Sequence, residues 1–349
     1  LNLLLLHCRP GFEKECAQEI QAMAAQCGDY GYCKTESGCA YVMYHSPQGK
    51  ADRIMEKTAF RELVFARQWS AASQLLEVSA EDRITPIMEM IHSLPFAAQW
   101  VLESSDTNEG KSLSRLLKSL QKPLSKLIEK RGLLRKRSPW RLHVSFLTGT
   151  QVIVGLSRID NSSPWVMGIP RLKVPREAPS RATLKLEEAW HTFIPEQQWG
   201  DRIAGGMRAV DLGAAPGGWT WQLVNRGMFV TAVDNGPMAE SLMQSGLVTH
   251  ERVDGFVYEP KRSVRWMVCD IADKPRRTAS MIAKWMTERW CTECVFNLKL
   301  PMQNRYQELQ QCRQLIESEC EERGVGHELH FKQLYHDREE VTGHIRRLD

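Results

Sequence analysis

The sequence predicts an α/β chain whose C-terminal half is an open, mostly parallel sheet with one antiparallel strand, preceded by two smaller α+β units. Two observations lead there. Residues 209–219 read AVDLGAAPGGW, and a second apolar run, MFVTAVD, follows and ends in Asp234. Strand-like and helical runs then alternate until two strand-like runs, HELHFKQLYH and EEVTGHIRR, close the chain as a hairpin. Such alternation builds a parallel sheet covered by helices, and the closing hairpin supplies the antiparallel strand.

Length and composition bound the answer. A chain of 349 residues is long enough for two or three domains, and 42% hydrophobic with 25% charged residues is ordinary for a folded protein in water. No apolar run is long enough to span a membrane. LNLLLL lacks the length and basic flank of a secretion signal and reads as a first strand. The ten cysteines are therefore expected as reduced thiols, and the protein as cytoplasmic. Cys291-x-x-Cys294 has no second pair at zinc spacing, and no histidine completes Cys27, Cys33 and Cys39, so no metal site is expected.

Residues 1–75 run strand, helix, strand (LNLLLLHC, FEKECAQEIQAMAAQCG, CAYVMYH), then a helix KADRIMEKTA and a strand ELVFARQWS. This order suits a small ferredoxin-like unit. Residues 76–160 continue with a helix RITPIMEMIHSL, a strand WVLES, and an amphipathic helix SLSRLLKSLQKPLSKLIEKRG interrupted at Pro123. The strands WRLHVSFLTG and TQVIVGLS end the unit. From Lys111 to Arg141 the bases are Lys111, Arg115, Lys118, Lys122, Lys126, Lys130, Arg131, Arg135, Lys136, Arg137 and Arg141, against one acid, Glu129. A charge run is usually a solvated helix face. Here the balancing acids are missing while the whole chain is only +4, so the positive charge is concentrated and favours phosphate. Lys126, Lys130, Arg131, Arg135, Lys136 and Arg137 are the expected RNA contacts. The arrangement resembles a THUMP domain, a module of RNA-modifying enzymes. Its few aromatic residues favour recognition of backbone and shape over base stacking.

Residues 161–180, NSSPWVMGIPRLKVPREAPS, hold four prolines and read as a stiffened linker, with Trp165 packing onto a domain. Arg171, Lys173, Arg176 and Arg181 are available to RNA along it.

In residues 181–349 the turn after AVDL carries Gly213, Gly217 and Gly218, which let the backbone turn tightly and approach a ligand. Asp234, one strand on, is placed to accept from ribose hydroxyls. The spacing is neither the dinucleotide fingerprint nor a P-loop. The turn's own acid, Asp211, suits a cation and repels a pyrophosphate. S-adenosylmethionine carries an ammonium and a sulfonium and no phosphate, so it is the expected cofactor. Asp254 is expected to end a third strand beside the adenine, and Asp270 a fourth, at the rim where the methyl is delivered. A helix RTASMIAKWMTERW, a strand ECVFNLKLP and a helix from Asn304 to Arg323 follow.

Four residues can meet at the cofactor edge of this sheet: Lys185 before its first strand, Asp270, Lys299 on strand five and Glu340 at the last strand. Alternating lysines and carboxylates perturb one another's pKa values. A ribose 2′-hydroxyl must lose its proton as it attacks, and a lysine whose charge is disfavoured by burial and a second lysine can act as the base. The rest is in-line displacement governed by orientation, with no metal or covalent enzyme intermediate.

These residues resemble the Lys-Asp-Lys-Glu tetrad of the RNA 2′-O-ribose methyltransferases. CRPGFEKEC, RITPI, DTNE, MGIPRLK, APSRATLKLEEA, DLGAAPGGW, VDNGPM, WMVCD, FNLKLPM and QLYHDREEVT extend the likeness over the whole chain. They are similar to the bacterial 23S ribosomal RNA cytidine 2′-O-ribose methyltransferase M family. The resemblance implies a Rossmann-like class I methyltransferase sheet, S-adenosylmethionine as donor, a cytidine of 23S ribosomal RNA as substrate, and Lys299 as proton acceptor. It implies cofactor contacts at Ala215, Pro216, Gly217, Gly218, Asp234, Asp254 and Asp270. No obligatory protein partner is evident in the sequence. Two positions depart from the family: Ala182 stands where a serine often touches the cofactor, and Ala215 where a cysteine often precedes the proline. The Glu-Val pair selects Glu340 over Glu339 as the last tetrad member.

Two rival readings stand beside this one. A base methyltransferase would need an Asn-Pro-Pro-aromatic sequence after strand four, where this chain has CDIADKP, or a nucleophilic cysteine. Cys269 is on the opposite strand face from Asp270. A non-catalytic RNA-binding or assembly factor would not need the tetrad. His191, His250 and His336 are expected in packing or surface roles.

Overall fold

The structure, a computed structural model, describes residues 1–348. It divides into two units, Leu1–Pro170 and Arg171–Asp349.

The first unit contains β1 (Leu3–His7), α1 (Glu13–Gln26), β2 (Tyr32–Lys34), β3 (Tyr41–His45), α2 (Ala51–Lys57), β4 (Gln68–Glu77), α3 (Ile84–His92), β5 (Gln99–Ser104), α4 (Asn108–Ser112), α5 (Ser114–Lys130), β6 (Trp140–Phe146) and β7 (Gln151–Arg158). All seven strands form one sheet in the order β2-β3-β1-β4-β7-β6-β5. The LLLL run is buried on both faces because β1 lies inside the sheet, paired with β3 and β4. The break expected at residue 75 is not a break in the sheet: β4 pairs with β1 through Ala71 and Ala72 and with β7 as far as Glu77. The strand expected at ELVFARQWS begins only at Gln68. The buried Glu19 carboxylate accepts from the Val64 and Phe65 amides at 2.6 and 3.0 Å, which holds that stretch out of the ladder.

Helix α5 is not interrupted at Pro123 but runs through it. An interior proline costs a helix roughly 3 kcal/mol. Burial of Leu120, Leu124 and Ile128 offsets that cost by fastening α5 to the core of this unit. The start of the expected linker is also part of this unit. Asn161 bonds to Phe60, Met55 and Thr58, and Ser163 accepts from Gln68 and Arg141.

The second unit contains α6 (Thr183–Phe193), α7 (Trp199–Arg202), β8 (Arg208–Leu212), α8 (Gly218–Asn225), β9 (Phe229–Val233), α9 (Glu240–Met243), β10 (Val248–Glu251), β11 (Val264–Cys269), α10 (Pro275–Thr287), β12 (Cys291–Lys299), α11 (Arg305–Glu322), β13 (His327–Lys332) and β14 (Glu340–Arg347). Its sheet order is β10-β9-β8-β11-β12-β14-β13. The first five of these strands are mutually parallel, and β14 inserts antiparallel between β12 and β13. The expected parallel sheet with one antiparallel strand is what forms, because β13 and β14 make a hairpin. Strand β10 ends at Glu251, so Asp254 lies in the turn beyond it and not at a strand end. Cys291 and Cys294 are both fully buried in β12, with their thiols against Met286 and Met267.

At the start of β12 the buried Glu293 takes a bidentate bond from Arg202 (2.9 and 2.6 Å), one from Arg265 (2.9 Å) and contact with His344 (3.1 Å). Burial opposes its charge, but His344 and Arg202 prevail and hold its pKa down to about 2. This depressed acid stabilises the fold above its unfolded value near 4.5, and the contribution is lost as pH falls towards 2. Glu293→Leu leaves Arg202 buried and unpaired and is expected to cost about 3–5 kcal/mol in denaturant unfolding at neutral pH. A variant within ~1 kcal/mol of wild type would show the cluster to be dispensable.

Candidate active site

The glycine turn follows β8. Gly213 and Gly217 have φ of 75° and 118°, and the Ala215–Pro216 peptide is cis. Side chains enforce glycine at both. A Cβ on Gly217 would lie 2.2 Å from Leu242 Cδ1, and one on Gly213 2.7 Å from Ile271 Cγ1. The close neighbour at Gly217 is thus packed protein. Gly218 sits against Ser180, Ala182 and Thr183, which brings the Ala182 segment to the turn. Asp234 follows β9, and its two carboxylate oxygens accept from the Ala215 amide at 3.0 Å and the Gly236 amide at 2.7 Å. The turn and the acid are locked together, and each carboxylate oxygen keeps a lone pair for a ribose hydroxyl.

Asp211 is 1% exposed. Its Oδ2 accepts from Thr220 Oγ1 at 2.6 Å, while its Oδ1 is buried without a partner. Burial first, then the charges of Asp270 and Asp234, push its pKa up to about 7. A buried carboxyl raised by burial and by two nearby acids, with one orphaned oxygen, fits a ligand carrying positive charge. Asp234, the glycine turn, Asp211 and Asp270 are the residues that would hold such a cofactor. Asp254 is exposed and accepts from the Phe256 amide at 2.9 Å, so its carboxylate caps its own turn.

Helix α6 brings Lys185 to this edge. Its Nζ is 3.4 Å from Asp270 Oδ2 and 2.5 Å from Glu340 Oε1. Burial works against the ammonium, but Asp270 and Glu340 outweigh it and hold its pKa above the usual lysine value. Glu340 is depressed despite burial by its bond to Lys185. Asp270 is raised by burial, and Lys185 and Asn297 only partly counter this. Lys185 therefore keeps its proton and serves as a positive clamp. The neighbouring Glu339 instead bonds Arg305 at 2.9 Å, so Glu340 is the glutamate that faces the site.

Lys299 ends β12 directly opposite Glu340 in the antiparallel register. It is not opposite Asp270; Asn297 contacts that residue. Nor is Lys299 buried: it is exposed and forms no ion pair among the described residues. The desolvation expected from sequence is absent from the free protein. Sequence reasoning also missed Asn297, Thr342, Asp337 and Glu188. Asn297 donates to Asp270 at 2.7 Å, and Glu188, one turn beyond Lys185, binds the Tyr335 and His336 amides at 2.7 and 3.0 Å. The period of two would have found Asn297 and Thr342, each two residues from a tetrad member on its own strand.

His336 is bonded to Glu188 and His250 to the Asp234 carbonyl, both as structural contacts. Cys269 is fully buried, and burial pushes its thiol up to about 12, which denies it the thiolate a carbon-5 methyltransferase needs.

In the first unit Lys126, Lys130, Arg131, Arg135, Lys136 and Arg137 are all exposed. With Arg115, Lys118 and Lys122, the helical members lie three or four residues apart, a stripe along α5 opposite its buried leucines. Arg141 leaves the set: it is 4% exposed and bonded to the Ser163 carbonyl.

A parallel sheet with an inserted antiparallel strand, a glycine turn and an acid cluster at its edge defines a methyltransferase of the nucleoside-cofactor class. Residues 178–345 match the FtsJ-like methyltransferase family, residues 1–70 the RlmM ferredoxin-like domain, and residues 82–158 the N-terminal region of ribosomal RNA large subunit methyltransferase M. The chain is 53% identical over 348 residues to ribosomal RNA large subunit methyltransferase M of Cellvibrio japonicus, covering 99% of both chains. It is 52% identical to the proteins of that description from Pseudomonas entomophila (100% and 99% covered) and Ectopseudomonas mendocina (99% of both). The chain belongs to the ribosomal RNA large subunit methyltransferase M family. It is an enzyme, and its methyl donor is S-adenosylmethionine.

Asp211 gives a pH test of the cofactor site. With its pKa near 7, it is largely protonated in the free protein below neutrality, and a bound cation favours the charged form. Cofactor binding should release a proton and tighten as pH rises through about 7. Calorimetry in buffers of different ionisation enthalpy measures that proton, and Asp211→Asn should remove it. Proton release unchanged in Asp211→Asn would place the cation elsewhere. Gly217→Val should weaken cofactor binding by forcing Leu242 and the turn apart.

Proposed function

We propose that this protein transfers the methyl group to the ribose 2′-oxygen of a cytidine in 23S ribosomal RNA, in the cytoplasm, with Lys185, Asp270, Lys299 and Glu340 as its catalytic set. The observation that carries this reading is the bridge of Lys185 between Asp270 and Glu340, with Lys299 paired beside Glu340 at the same sheet edge. The relatives' names describe ribosomal RNA methyltransferases, which supports the substrate class.

S-adenosylmethionine, when bound, supplies an electrophilic methyl on a sulfonium. Lys185, held charged, orients Asp270 and Glu340 and adds positive potential where negative charge develops on the attacking oxygen. Lys299 accepts the 2′-hydroxyl proton as that oxygen takes the methyl. Its exposure lets the arriving RNA supply the desolvation that favours a neutral amine. Residues 76–160 act as a THUMP-like RNA-binding domain, the stripe on α5 contacts phosphates, and residues 181–349 perform the chemistry.

Lys299→Ala should reduce the single-turnover rate about 10²–10⁴-fold. Lys299→Arg should fail similarly, since a guanidinium keeps its proton. The wild-type rate should climb with pH until another step limits. Near-normal transfer by Lys299→Arg would exclude it as base. Separately, neutralising Lys126, Lys130 and Arg131 should flatten the salt slope of RNA affinity, by about 0.7–0.9 for each phosphate these bases engage, with cofactor affinity unchanged. An unaltered slope would make the α5 face a solvated surface only.

A further inference from the structure

The buried polar groups behind Asp270 have a direction. Asn297 (3% exposed) and Thr342 (fully buried) are directly paired across β12 and β14, two residues from the Lys299–Glu340 pair and therefore on the same sheet face. Asn297 Nδ2 donates to Asp270 Oδ1 at 2.7 Å. That leaves Asn297 Oδ1 facing Thr342 Oγ1 at 2.8 Å. An amide oxygen only accepts, so Thr342 must give its single proton there.

Thr342 Oγ1 also lies 2.9 and 3.1 Å from the two oxygens of Asp337. Its proton is already used, so an ionised Asp337 would set lone pair against lone pair in a dry interior. Asp337 is 1% exposed, and its Oδ2 accepts from the Leu334 amide at 2.9 Å. The arrangement is satisfied when Asp337 is a neutral acid that donates to Thr342. Burial first, and the nearby Glu340 second, push its pKa well above the usual carboxylate range, in agreement with that polarity. Glu188 holds the adjacent loop through Tyr335 and His336 and so sets where Asp337 sits.

We propose that Asp337, Thr342 and Asn297 form a one-way hydrogen-bond relay, headed by a proton on Asp337, that fixes Asp270 as an acceptor for Lys185. These three are positioning residues. They touch no reacting atom and act through Asp270. The effect of the relay on rate rests on the methyl-transfer reading above, whereas its polarity does not.

The test therefore has two arms. Infrared spectroscopy of the full-length protein at neutral pH should show a protonated-carboxyl band that disappears in Asp337→Asn and shifts in Thr342→Val. No band depending on Asp337 would overturn the proposal, whatever the substrate. In single-turnover methyl transfer, Thr342→Val should lower the rate about tenfold or more and displace its pH profile, since it breaks a bond chain to a charged group. Thr342→Ser should restore both. Asp337→Asn can donate from its amide and accept from Leu334, so its rate should stay within about threefold of wild type. A loss in Asp337→Asn as deep as in Thr342→Val would mean that the Asp337 charge matters, and would refute the relay. So would an unmoved pH profile in Thr342→Val. If Thr342→Val does not fold, Thr342→Ser and Asp337→Asn decide the question through the infrared band. Absence of 2′-O transfer by the wild type would instead refute the substrate reading and leave the band arm standing.

Discussion

The antiparallel pairing of β14 with β12 governs the geometry of the catalytic unit. One register sets Lys299 against Glu340, Asn297 against Thr342 and Glu293 against Arg346. Because side chains alternate across a strand, a slip of β14 by one residue against β12 would turn Glu340 and Thr342 to the other face together, away from Lys299 and Asn297. The parallel strands bring Asp211, Asp234 and Asp270 to the same edge, since their turns all follow strand C-termini. Helix α6 then ties the two parts with Lys185 on Asp270 and Glu340 and Glu188 on the loop before β14.

The two ends of this sheet carry opposite electrostatics. Glu293 is surrounded by Arg202, Arg265 and His344 and stays charged in a dry interior. At the other end the acids outnumber the cations that touch them, and Asp211, Asp270 and Asp337 are all raised. Buried charge is tolerated when it is compensated. The first cluster is compensated by the fold. The second is left for a proton or a cationic ligand to complete, which is the behaviour of a binding site.

In the first unit the chain spends its apolar residues on a continuous sheet and leaves its bases outside. Arg115, Lys118, Lys122, Lys126 and Lys130 lie opposite Leu120, Leu124 and Ile128 on α5, so burying the leucines forces the positive charge into a single stripe. Such a stripe, with no ion pair among the described residues, concentrates a positive field on one face of the helix.

Local periodicity, turn chemistry and charge count were enough to place the elements, the glycine turn with Asp234, three of the four clustered side chains and the basic face of α5. They misjudged Pro123, the start of β4 and the surroundings of Lys299. Leu120 and Leu124 keep α5 helical, Glu19 withholds residues 64 and 65 from the ladder, and Lys299 stands at a strand end open to water. Packing in three dimensions removed Arg141 from the basic surface and joined Asp337, Thr342 and Asn297 behind Asp270. The physical reason is that a residue's protonation and partners depend on neighbours brought close by strand register and burial, as Asn297 and Thr342 are across β12 and β14, which local sequence does not supply.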